Sequence, residues 1–186
     1  GTGSLYSTTQ ISEAQTALIK AGVKPNDIIN TDALASIIKF ASGNDIDIGT
    51  AADFAVQLGA QFKKKPAEWG KMLDQVTYAA NASIIDVPDI IQSMKYAGNM
   101  ASGFNQPLSD ILAALAIMGN AGLKGTQAGT GIQALFARGL SPTGITTASK
   151  PPTSNVENVY TQFKDKVSDE NGNFLGLENF TDVFDE

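Results

Sequence analysis

The sequence contains neither cysteine nor histidine. Their absence removes disulfides, zinc sites of the ordinary type, thiol nucleophiles and every histidine-based triad. Carboxylate-only chemistry and hard metal ions bound through oxygen remain as options. Charge is sparse at 17% of residues. No apolar run reaches the roughly 18 residues that a membrane-spanning helix needs. The N-terminus also lacks the basic segment and apolar core of a secretory signal.

What is present is a chain of 186 residues, 42% hydrophobic, enough for one domain or a domain with an appendage. Gly1-Thr2-Gly3-Ser4 reads as an expression scar, which implies that the natural protein begins earlier and that this is a fragment. The net charge of −6 is unevenly spread. Residues 1–150 carry eleven basic and eleven acidic side chains, whereas 151–186 set Lys164 and Lys166 against eight acids. Such an acidic tail repels phosphate and argues against nucleic-acid binding there.

Helical periodicity dominates to about residue 140. A first helix is expected from Thr8 or Thr9 through Ile11, Ala14, Leu18 and Ala21, with Gly22 closing it. Asp27 or Thr31 caps a second, with Leu34, Ile37, Ile38 and Ala41 on its apolar face and Gly43 at its end. A third begins at Asp47 or Thr50 and carries Ala51, Phe54, Ala55, Leu58 and Phe62. Pro66 opens a fourth, bearing Trp69, Leu73, Val76 and Ala80. Asp86 with Pro88 opens a fifth, lined by Ile90, Met94, Ala97 and Ala101. Pro107 opens a sixth with Ile111, Leu112, Leu115 and Met118, and a seventh runs from Thr126 to about Arg138 with Ile132, Leu135 and Phe136. The expected core is Ile37, Phe54, Leu58, Trp69, Leu73, Ile90, Met94, Leu112, Leu115 and Leu135.

Ile37-Ile38-Lys39-Phe40-Ala41 and Ser93-Met94-Lys95-Tyr96-Ala97 look alike at a separation of about 56 to 60 residues. Stacked hairpins would give that pattern, and so would chance similarity between amphipathic helices. The fold class read from these signals is mostly α, a multi-helix antiparallel bundle or stacked helical hairpins. A helical domain over 5–140 is followed by a Gly/Ser/Thr/Pro linker at 141–154. An acidic tail at 155–186 completes the chain, with Asp169-Glu170-Asn171-Gly172 as the turn of a small β-hairpin and a short helix after it.

Four local features bear on function, each with a plainer alternative. Gly119, Ala121, Gly122, Gly125, Ala128, Gly129 and Gly131 crowd one stretch. Gly-rich turns before helices cradle phosphate, but a P-loop closes on Gly-Lys-Ser/Thr after a strand, and here Lys124 precedes Gly125. The plainer reading is that Gly119, Gly122, Gly125, Ala128, Gly129 and Thr130 form a packing motif, across which the helices on either side of Gly119–Gly125 meet closely. Lys63-Lys64-Lys65 beside Trp69 is either a basic patch for nucleic acid or a solvated helix C-terminus. Asp169, Asn171, Gly172 and Glu178 match four positions of a calcium loop, but Val167 stands where its first carboxylate belongs. Asp45, Asp47, Glu68 and Asp74 could pair for glycoside hydrolysis, although polar helix faces always offer such pairs. No catalytic, cofactor or metal site is therefore assigned.

The stretch from Leu112 to Thr130, an apolar helix ending in a small-residue turn before Ala128-Gly129-Thr130, resembles tail tape measure proteins of long-tailed bacteriophages. Ala21-Gly22-Val23, Ile37 to Ala41, Tyr78 to Ser83 with Val87 to Ile90, and Phe104 to Leu108 fit the same pattern in order. The likeness covers residues 11 to 140. It implies a structural protein that fills the lumen of the growing tail, sets its length as tube subunits polymerise, and leaves before DNA passes. The length-setting part of such proteins is a long helical stretch outside this chain. The implied partners are the tail tube protein, tail assembly chaperones and copies of itself, without specific nucleic-acid binding. Any host-membrane contact would come from parts outside this fragment. The implied location is the virion tail, and the host cytoplasm during assembly. Rival readings are a protein-binding module of a tail-like injection particle and a cell-wall-degrading domain.

Overall fold

The computed structural model describes residues 7–139. Among these are eight α-helices, one 3-10 turn and no strand. The expected linker, the β-hairpin and the calcium-like residues Val167, Asp169, Asn171, Gly172 and Glu178 all lie outside the described residues. None of the described helices is long and apolar enough to cross a membrane. The stretch expected as one helical domain divides between Tyr78 and Ala79 into two compact units.

In the first unit α1 (Thr8–Lys20) starts at Ser7, whose hydroxyl accepts from the Gln10 N–H while the Gln10 side chain accepts from the Ser7 N–H. This reciprocal pair satisfies two donors that a helix start leaves without partners. The helix ends as expected at Gly22, where φ of +84° brings the Val23 N–H back to the Leu18 carbonyl at 3.0 Å. A short α2 (Pro25–Ile29) follows, a turn too brief for periodicity to reveal. Helix α3 (Ala33–Gly43) then starts later than expected, at Asp32. Thr31 still serves the entry, its hydroxyl donating to the Asp27 carbonyl and accepting from the Ala33 N–H. Helix α4 (Ile48–Gln61) is capped by Asp47, which accepts from the Thr50 N–H at 2.9 Å. Instead of one helix opened by Pro66, a 3-10 turn (Pro66–Glu68) leads into α5 (Trp69–Asn81), whose last three residues fall in the second unit.

The core of this unit gathers Leu18, Ile37, Ile38, Phe54, Leu58, Trp69 and Leu73. The Phe40 and Phe54 rings stack at 6.2 Å. Full burial of a side chain such as Leu58 stabilises by about 1.5–3 kcal/mol.

The second unit holds α6 (Val87–Gly103), α7 (Leu108–Asn120) and α8 (Thr126–Gly139). Asp86 caps α6 as expected, accepting from the Asp89 N–H at 2.8 Å, with Pro88 in the first turn, where a missing N–H costs nothing. Ile90, Met94, Ala97, Ala101, Ile111, Leu115 and Ile132 are fully buried. Leu135 is the one expected core residue that is not: it is half-buried, and Phe136 takes the interior place, stacked on Phe104 at 5.2 Å. Each helical residue turns about 100° from the last, so a one-residue error in phase exchanges core for rim.

Candidate functional site

The small-residue stretch is built from the end of α7. Gly122, at φ +88°, is in the left-handed conformation that a side chain disfavours. The turn it makes spends its backbone donors on α7 itself. Ala121 N–H reaches the Ile117 carbonyl at 3.0 Å, Gly122 N–H the Gly119 carbonyl at 2.8 Å, and Leu123 N–H the Met118 carbonyl at 2.8 Å. Lys124 is occupied as well, its ammonium donating to the Ile84 carbonyl at 2.8 Å. Ile84 N–H in turn donates to Asn120 Oδ1 at 3.2 Å. A phosphate cradle needs free N–H groups and a free lysine. Here the N–H groups of Ala121, Gly122 and Leu123 and the Lys124 ammonium are committed to closing the turn and pinning the segment before α6.

Beyond the turn, Gly125 at φ +52° leads directly into α8, whose first residue is Thr126. The Thr126 carbonyl accepts from the Thr130 hydroxyl at 2.8 Å, and Thr130 is exposed.

Gly129 meets α6. A Cβ built on it would lie 2.4 Å from the Ser93 carbonyl oxygen and 2.8 Å from the Ser93 Cα. Only a hydrogen fits there. Chain adjacency suggested α7 as this neighbour. The Ser93 hydroxyl completes the junction from within, 2.7 Å from the Gly125 carbonyl and 2.8 Å from that of Asp89, with one proton to share. Ala128 is buried beside Gly129. Gly119 faces elsewhere, since its Cβ would lie 2.1 Å from Ile85 Cγ2, and Gly131 faces the mobile end of Met118. The six residues singled out from sequence thus separate into a turn (Gly122), a contact with Ile85 (Gly119), the entry to α8 with its buried face (Gly125, Ala128, Gly129) and an exposed position (Thr130).

Sequence reasoning missed Ser93. Its signal was visible, because a small polar residue sits three positions after Ile90 and four before Ala97, on the apolar stripe of α6.

The other candidates resolve into structure. Trp69 is buried, and its indole N–H donates to the Lys64 carbonyl at 3.3 Å, so its ring does not offer a stacking face. Glu68 holds the same turn from outside, accepting from the Lys65 N–H at 3.0 Å and from the Lys64 ammonium at 3.1 Å. The Lys65 N–H chiefly, and the Lys64 ammonium next, hold its carboxyl below the usual carboxylate range. Asp47 caps α4, Asp74 pairs with Lys39 at 3.0 Å, and Asp45 sits in a turn at φ +52°. Three of the four carboxylates considered for hydrolysis therefore already have structural partners. Among the described residues no group of three or more Asp or Glu side chains is placed to hold a metal ion.

Comparison with known proteins gives two matches and one blank. A family model described as phage-related minor tail protein matches residues 1–186. A tape measure protein of Pneumococcus phage Dp-1 is 25% identical over 143 residues, which is 77% of this chain and 12% of that protein. The chain thus spans about an eighth of the length of the curated relative it matches. No solved structure matches.

Proposed function

The chain belongs to the phage-related minor tail protein family, and from that premise we propose that it is a compact helical module of a tape measure protein. The full protein, in this reading, occupies the lumen of the growing tail, helps to set its length and departs at genome ejection. The observation that carries the reading is the match to a phage tape measure protein across most of this chain.

The module is not the ruler itself. Its longest described helix, α6, has 17 residues and so extends about 26 Å at about 1.5 Å per residue. Every described helix before α8 gives way to a turn rather than running on into a rod. Its task is to pack against tail protein: the tube subunit, assembly chaperones or further copies of the chain. It acts in the host cytoplasm during assembly and in the virion tail afterwards, without catalysis.

The test is an in-frame deletion of residues 8–139 in the encoding phage or prophage, with tails measured by electron microscopy. Loss of tails, or tails of scattered length, is the expected outcome. Uniform shortening by about 200 Å, the length of 132 residues of continuous helix at about 1.5 Å each, would assign the segment to the ruler instead. Normal tails with full infectivity would overturn the proposal. So would release of sugar from purified cell wall by the intact chain.

A further inference from the structure

We draw no further inference here: the strongest candidate, the groove of about 500 Å³ between α1 and the start of α4, lined by Glu13, Lys20, Asp47 and Asp53, is a cluster of acidic residues with nothing in the structure to show a ligand or partner that fills it.

Discussion

The two units use the same turn twice and fill the space beside it differently. Asp45 at φ +52° joins α3 to α4, and Asn105 at φ +54° joins α6 to α7, 60 positions later. In both, the next N–H reaches back to the helix just ended, Ile46 to Ala41 at 3.1 Å and Gln106 to Ala101 at 2.9 Å. A second pair of left-handed turns, at Lys63 and Gly122, leads toward α5 and α8. Packing then diverges. In the first unit, a Cβ on Gly59 would meet the Trp69 ring at 2.5 Å and the Lys64 carbonyl oxygen at 3.2 Å, and one on Gly70 the Ser36 hydroxyl at 2.9 Å. In the second, a Cβ on Gly129 would meet the backbone of Ser93. The Ser36 hydroxyl can rotate away, but the buried, hydrogen-bonded Trp69 ring and the backbone of a packed helix cannot. The same helix-and-turn plan therefore yields one unit in which a glycine admits an aromatic ring and another in which a glycine admits the backbone of a neighbouring helix.

The largest effects should come from the features the units share. Leu58 in α4 and Leu115 in α7 are both fully buried. Leu58→Ala and Leu115→Ala should each destabilise by about 2–5 kcal/mol in denaturant titration. A Leu115→Ala protein as stable as wild type would remove that residue from the core.

Next comes the feature that separates them. Gly129→Leu should overpack the α6–α8 junction by about 1–3 kcal/mol. Adding Ser93→Gly should not restore stability, because the clash is with the Ser93 backbone. Gly131→Ala on the same helix is the control. It meets only the end of the Met118 side chain and should be neutral, or stabilising by up to about 1 kcal/mol from helix propensity. Equal costs at 129 and 131 would break the contrast. So would a Gly129→Leu protein that melts like wild type, with wild type alone stabilised by nucleotide.

Much of this was legible in the sequence, and the omissions have physical causes. Capping and periodicity placed α1, α4, α6, α7 and α8 within a residue or two, because those signals are local. Helix α2 was missed because five residues hold barely more than one turn. The likeness of 37–41 to 93–97 runs at 56 positions, whereas the equivalent turns lie 60 apart, so that likeness is out of register by about one helical turn. The partner of Gly129 was misread for a deeper reason. Periodicity says which face of α8 is apolar, not which helix covers it, and the non-adjacent α6 does.

A third comparison exchanges the residues of the second pair of turns. Lys63 holds a left-handed backbone with a side chain attached, at a cost of roughly 1–2 kcal/mol that Gly122 avoids. Lys63→Gly should therefore stabilise the protein by up to about 1 kcal/mol, less the added freedom of the unfolded chain, and Gly122→Ala should destabilise it by about as much. Melting temperatures that move the same way in both variants would mean that the turns are not equivalent.

The smallest expected effect distinguishes the same two turns by pH. The turn before α5 is fastened by the Glu68 carboxylate, which accepts from the Lys65 N–H and the Lys64 ammonium. The turn before α8 is fastened by Lys124 on the Ile84 carbonyl and by the Asn120 amide, and acid protonates neither bond's acceptor. The carboxyl of Glu68 is held below its ordinary value in the folded chain, so its contribution is present above the unfolded value and fades as pH falls through the folded one. Glu68→Gln should thus be slightly less stable than wild type at neutral pH, and the gap should close in the acid range below the ordinary glutamate value. Because the Glu68 side chain is about half exposed, solvent screens the pair, and raised salt should narrow the gap at neutral pH too. Lys124→Met, by contrast, should cost the same across that pH range. Paired melting curves decide the matter: a Glu68→Gln difference that stays constant with pH would mean that the carboxylate charge is not what fastens the first turn, leaving Pro66 and the Trp69 bond to Lys64 to hold it.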